Sequence, residues 1–304
     1  MNKSMNKLNE NIFHQYNKWK TGYERKENSF RMRLQNWINE HNFNESDFSI
    51  SEDGKYVNCN TDLCLYDSHL IGGKFPFPFG EINGFFNCAE CSDLISLEGA
   101  PQKVKTGFNC SQCYSLTSLV GAPKEVGGSF TCSHCLKLTS LEGAPEEVGG
   151  NFVCCYCSLL TSLVGAPKKV RKYFECYDCE KLTSLDGAPE KVGYNFDCCE
   201  CNKLTSLKGA PKEVGGDFIC YRCPKITSLE GAPEEVNGCF DCSECSKLTS
   251  LKGAPKEVGE SFNCKHCYSL TSLKGLPTII HTLYIDEDMK NKLPEYAKTF
   301  RIMI

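Results

Sequence analysis

The sequence predicts a repeat solenoid, a stack of short parallel strands joined by extended return segments, preceded by a small helical N-terminal segment. Three observations carry this reading. Phenylalanine recurs at 86, 108, 130, 152, 174, 196, 218, 240 and 262, a step of 22 residues with no slippage. Each phenylalanine opens the pattern F-x-C-x-x-C, so nine CxxC pairs run from Cys88/Cys91 to Cys264/Cys267 and take 18 of the 23 cysteines. Each pair leads into a run such as L-T-S-L-x-G-A-P and then Val. A unit this short cannot enclose a core, so it buries its apolar side only by stacking on its neighbours.

The elements follow in chain order. Residues 1–50 hold both tryptophans and carry 8 Lys+Arg against 6 Asp+Glu. Leu8, Ile12, Tyr16, Trp19 and Tyr23 recur three or four apart, as do Phe30, Leu34, Trp37, Ile38 and His41, which predicts two amphipathic helices. Two readings stay open for them: a cap over the first turn, or an arm that recruits a partner or dimerises. Residues 51–85 read as degenerate first repeats in a unit one residue longer, with Leu63, Leu65, Pro78 and Ile82 in the Phe, Cys, Pro and Val columns. Residues 86–283 are the nine 22-residue repeats. Within each, F-x-C alternates as a half-buried strand does. G-A-P breaks helix and strand alike, and no window shows a 3.6-residue apolar stripe. A repeat is therefore one short strand plus an extended return. Residues 284–304 form a C-terminal cap, with Tyr284 in the Phe column, Asp286 and Met289 at the Cys positions, and TFRIMI as a closing strand. A charge in an inward column marks the end of the stack.

The spacing F-x-C-x-x-C-x-x-L resembles the leucine-rich-repeat signature L-x-L-x-x-(N/C)-x-x-L. Phe108 and Cys110 stand where that family places its two strand leucines, Cys113 at the Asn/Cys position and Leu116 at the following Leu. The tail L-T-S-L-x-G-A-P is similar to the short bacterial class with L-T-S-L-P, and the resemblance recurs in register over residues 63–285. Phe and Cys replace the usual leucines, and the Val-to-Phe step is one residue longer, departures that bear on curvature rather than on the solenoid. LTSLEGAP-type arrays also look similar to proteins of bacteriophages and large DNA viruses. The resemblance implies an exposed strand face that binds proteins and performs no chemistry.

An odd number of cysteines excludes a complete disulfide framework. Zinc is one use for the rest, since two CxxC pairs supply four thiolates. Nine pairs leave one over, however, and the intervening residues (Ala-Glu, Ser-Gln, Ser-His, Cys-Tyr) lack the Pro or Gly of a tight knuckle. Disulfides within a pair fail because i and i+3 in extended chain lie ~10 Å apart, beyond the ~7 Å limit. Bridges between turns leave one cysteine unmatched in each column of nine. The favoured reading is structural. The thiols are small buried hydrophobes, and the second of each pair makes S–H contacts to backbone carbonyls as the Asn ladder of commoner repeats does. Neither metal nor cofactor is expected.

A formal net charge of −4 argues against a dedicated nucleic-acid or membrane-surface protein. No apolar run approaches the ~18–20 residues of a membrane helix, and the start MNKSMNKLNENIF lacks a signal core. A cytoplasmic location is expected, the host cytoplasm if the protein is viral. No P-loop, GxSxG or HExxH occurs, and His134 and His266, although next to Cys135 and Cys267, point to the opposite side of an extended strand. No enzyme is expected, nor a ligase domain after the array of the kind some bacterial effectors carry. One column, Lys124, Glu146, Lys168, Glu190, Lys212, Glu234 and Lys256, alternates in sign at every turn. The leading expectation is a non-enzymatic protein-interaction scaffold, a viral or mobile-element protein acting on a host factor. The alternatives are a structural or virion assembly component and a zinc-binding CxxC repeat protein. The outward strand positions locate the site. Early repeats show Asn87, Ala89, Asn109, Ser111 and Gln112. Later ones show Tyr156, Glu175, Tyr177, Asp178, Asp197, Glu200, Tyr221, Arg222, Asp241 and Glu244, an acidic patch set with tyrosines that suits a protein partner with a basic surface.

Overall fold

The structure, a computed structural model, describes residues 18, 22, 29–66 and 70–304. The chain divides into two compact units, Met1–Asn58 and Cys59–Ile304.

In the first unit, residues 29–40 form a helix, the second of the two predicted. Its apolar stripe buries Leu34, Trp37 and Ile38. Trp37 packs among His41, Phe43 and Phe48 with ring centroids 5.0, 5.0 and 5.8 Å away. Asn42 closes the helix in the left-handed conformation (φ 54), and Phe43 N–H donates to Ile38 C=O at 3.0 Å. The other predicted helix, drawn through Leu8, Ile12, Tyr16, Trp19 and Tyr23, lies outside the described residues. The helical reading of residues 1–50 also stops short of its end. Asn44 accepts from Ser46 N–H and turns the chain through Glu45–Asp47, and Phe48–Ile50 is a strand beside Val57–Cys59.

The second unit is a parallel β-solenoid, and two ladders run along it. The first contains twelve two- or three-residue strands from Leu63–Cys64 to Arg301–Met303, in sequence order, with phenylalanine facing phenylalanine at each central step. The second runs from Phe79–Ile82 through Lys103–Val104 to Glu257–Val258 and pairs valine with valine. The sequence reading allowed one strand per turn. The return path supplies another, because its Glu/Lys-Val pair meets the same pair of the next turn at a constant 22-residue offset.

The turn starting at Phe130 shows how the coil is closed. Phe130, Cys132 and His134 donate their amides to the carbonyls of Asn151, Val153 and Cys155 on the next turn, at 2.8, 2.8 and 2.9 Å. Leu138 N–H then returns to Cys135 C=O at 2.9 Å, and Ala144 N–H to Leu141 C=O at 3.0 Å, making two tight corners. Gly143 sits third in the latter turn with φ 94, where only glycine is comfortable. A Cβ there would lie 2.4 Å from Val120 N on the turn below, so glycine also permits the close approach of two backbones.

The core is a column. The nine phenylalanines are fully buried and stack with centroids 5.1–5.6 Å apart and planes within 30°. Cysteine and leucine columns fill the space beside it.

At the N-terminal end Leu63 faces Phe86 and Ile82 faces Val104, as the sequence suggested. The register puts Phe79, not Pro78, in the Pro column, because the extra residue of that turn precedes it. At the other end Leu283, not Tyr284, faces Phe262. The apolar leucine enters the core column while the tyrosine, with its hydroxyl, stays half-buried. Ile285 then takes the next inward place, and Asp286 accepts from His266 N–H at 2.8 Å, replacing the carbonyl that a further turn would offer. Met289 is buried within the 3-10 segment Glu287–Lys292. Arg301–Met303 closes the ladder against Thr282–Tyr284. Among the described residues, no helix is long and apolar enough to cross a membrane.

Candidate functional site

The exposed side of the phenylalanine ladder ends in an unusual corner. The second residue inside every CxxC pair, from Glu90 to His266, is left-handed with φ 52–59, and none is glycine. Such a residue costs ~1–2 kcal/mol. The corner is held from two sides. The left-handed amide stays in the ladder, as Glu200 N–H does on Tyr221 C=O at 2.9 Å. Where Asn or Asp follows the phenylalanine, its side chain caps the corner: Asn109 accepts from Ser111 N–H at 3.0 Å, Asp197 from Cys199 at 2.9 Å and Asp241 from Ser243 at 2.8 Å.

The cysteines form the inner wall of this corner. The second cysteine of each pair donates its S–H to the carbonyl of the first cysteine of the preceding turn (Leu65 for Cys91), at 3.0–3.4 Å in all nine turns. Among the described residues no backbone N–H reaches that carbonyl, so the thiol satisfies a buried acceptor. Burial pushes the thiols of Cys132, Cys154, Cys176 and Cys198 well above their ordinary pKa. In the donating column burial likewise raises the thiols of Cys157 and Cys223, whereas the contact with Cys220 lowers Cys245; zinc would bind such thiols as thiolates. Among the described residues, no group of three His, Cys, Asp or Glu side chains is placed to hold a metal ion. His134 stacks on Tyr156, centroids 4.3 Å apart, while the neighbouring Cys135 thiol turns inward to Cys110 C=O.

The ten predicted partner-binding residues lie on three adjacent columns of one face. Glu175, Asp197 and Asp241 follow the phenylalanines, Tyr177 and Tyr221 occupy the first position inside CxxC, and Tyr156, Asp178, Glu200, Arg222 and Glu244 are left-handed corners. Tyr156 and Tyr177 meet edge to face at 5.3 Å. A depression of about 200 Å³ is lined by Tyr156, Tyr177, Asp178, Asp197, Cys199 and Glu200. Burial, then the charge on facing Asp197, raises the pKa of Glu175; burial raises Asp197. Two details qualify the patch as read from sequence. Asp197 and Asp241 are tied to their own turns. Arg222 stacks over Tyr221 at 4.8 Å and bridges Glu244 and Glu200 at 2.8 and 3.6 Å, neutralising part of the acidic row. Sequence reasoning missed Cys155 and Cys199, which stand in the tyrosine column; their 44-residue separation, two turns, was the available signal. On the return side Lys168–Glu146 and Lys212–Glu190 pair at 3.3 and 3.5 Å, exposed contacts worth ~0–1 kcal/mol each. No protein-family model, curated protein or solved structure matches the chain.

Proposed function

We propose that the chain is a leucine-rich-repeat-like interaction scaffold, without catalysis of its own, whose corner face binds a protein partner through basic side chains. The observation that carries this is the depression walled by Tyr156 and Tyr177 and rimmed by Asp178, Asp197 and Glu200. Tyrosine faces attract cations, and carboxylates that burial has partly stripped of water favour a guanidinium or ammonium group. The repeat supports the family reading through its thiol-to-carbonyl ladder, which performs with S–H the service an asparagine amide performs at the same place in the signature.

The test uses a ten-residue Arg-Ser peptide and fluorescence anisotropy at low protein concentration. The parent and a return-side variant, Glu146→Lys with Glu190→Lys and Glu234→Lys, should bind alike. Glu175→Lys with Asp178→Lys and Glu200→Lys should lose binding while remaining folded, as its circular dichroism reads. Equal binding by both triple variants would remove the assignment.

A further inference from the structure

A larger recess than the one at the corner, a groove of about 1040 Å³, lies on the return side over the valine ladder. One column runs its length: Lys105, Gly127, Gly149 and Arg171, at the 22-residue step. Gly127, Gly149 and Arg171 donate their amides to the carbonyls of Val104, Val126 and Val148 at 3.0, 3.1 and 3.2 Å, so the four turns stand one strand spacing apart. The two glycines leave the middle of the column bare. A Cβ at Gly127 would run into Lys105 C=O, and one at Gly149 into Gly127 C=O, so the packing of these turns keeps the gap empty of side chains. Half-buried Ala122 and Ala144, with buried Pro123 and Pro145, give the gap an apolar flank.

Unmatched cations bound this gap. Each carboxylate that lines the groove already has a lysine: Glu125 meets Lys103 at 3.1 Å, Glu146 meets Lys168 at 3.3 Å and Glu147 meets Lys169 at 3.4 Å. Lys105 and Arg171 at the two ends, and Lys124 three residues before Gly127, are exposed and make no ion pair among the described residues. Three turns at ~4.8 Å separate Lys105 from Arg171 by ~14 Å at Cα. In an extended peptide, residues i and i+4 lie ~13 Å apart and point to the same side, with residue i+2 between them.

From this we infer that the groove seats an extended acidic peptide segment of a partner protein, with carboxylates at i and i+4 and an apolar side chain at i+2. One carboxylate meets the Lys105 ammonium and the other the Arg171 guanidinium, whose planar fork suits it. The side chain at i+2 fills the glycine gap beside the alanines. A small dianion is a poorer occupant, since small-molecule sites enclose most of their ligand, whereas the charged walls here stand open to solvent. A nucleic-acid strand fits less well too. It carries a charge at every step and would set phosphates beside Glu125, Glu146 and Glu147, where a peptide can hold neutral side chains. The inference is separate from the corner reading, which concerns basic groups on the other ladder and is tested by the Arg-Ser peptide.

Fluorescence anisotropy at about 20 mM salt measures it. The probe is a labelled nine-residue serine peptide with Asp at its third and seventh places and Leu at its fifth. The parent should bind it, and should bind an isomer with Asp at the third and fourth places about fivefold more weakly. Lys105→Glu/Arg171→Glu should weaken binding about tenfold or more, and should bind a peptide with Lys in place of both Asp more tightly than the parent does. Lys212→Glu/Lys256→Glu makes the same change of net charge on the return side outside the groove, and should bind the Asp peptide as the parent does. Lys105→Gln/Arg171→Gln, also expected to weaken binding, serves if circular dichroism shows the Glu version unfolded. The inference is overturned if the parent does not bind, if the two isomers bind alike, or if the remote pair weakens binding as much as the groove pair. It is also overturned if a 20-nucleotide single strand binds through Lys105 and Arg171 more tightly than the peptide.

Discussion

Two cysteines of one turn, Cys176 and Cys179, offer a clean comparison. Both are fully buried, and each Cys→Ala change deletes one sulfur atom. Transfer of that atom plus the small void should cost ~1–2 kcal/mol at either place. Only Cys179 has a further partner, Cys154 C=O at 3.3 Å. Removing its thiol leaves that buried carbonyl without a donor, a penalty of ~1–3 kcal/mol, taken at the low end because S–H is a weak donor. Cys179→Ala should therefore destabilise by ~1 kcal/mol more than Cys176→Ala, and Cys179→Ser, which keeps a donor, should lose less than Cys179→Ala. Urea unfolding followed by far-ultraviolet circular dichroism, with reductant present, reads the difference. Long arrays can depart from two-state unfolding, but both substitutions lie in one turn and share whatever that departure is. Equal losses at the two positions would refute the carbonyl argument and would suit a pair of metal ligands, where losing either thiol breaks the same site.

Two other outcomes follow from the coil. Gly143→Ala should cost at least ~2 kcal/mol and lower the thermal midpoint, since it combines a left-handed backbone with a 2.4 Å approach to Val120 N; an unchanged melt would contradict the packing of these turns. Glu175 and Asp197 have folded-state pKa values raised by burial, so the stability linked to them is present below the ordinary carboxylate range and lost as pH rises through the raised values. Glu175→Gln with Asp197→Asn should consequently melt above the parent at pH 7, with the gap closing as pH falls toward ~4; a parent that melts higher at pH 7 would reverse the sign.

The columns were legible because the 22-residue step never slips, so Phe174 or Lys203 can be placed on its neighbours by subtraction alone. The ends were less so. Leu283 and Tyr284 are both apolar enough for a core place, and a one-residue shift exchanges inward and outward positions. The second ladder escaped notice because Glu147–Val148 and its counterparts are two residues long, too short to show alternation. The left-handed corners were hidden by the absence of glycine. Their only trace is Asn or Asp at 87, 109, 197, 241 and 263, which looks like surface decoration until the amide two residues on is seen to bond it. The acidic face was visible as a set of columns, whereas the clamp of Arg222 on Glu200 and Glu244 depends on side-chain reach that spacing does not report.

The unslipping repeat also makes the length of the array adjustable in whole steps, with a parity rule. Excising residues 144–165 would join Gly143 to the equivalent of its own successor, shorten the stack by ~4.8 Å and set Phe130 on Phe174 with the thiol of Cys179 beneath Cys132 C=O. Every buried column would close over the cut. The exposed alternating column would not, because Lys124 would then adjoin Lys168. Excising residues 144–187 brings Lys124 beside Glu190 and restores the alternation. The interior is indifferent to how many turns are present, while this outer column distinguishes odd changes from even ones.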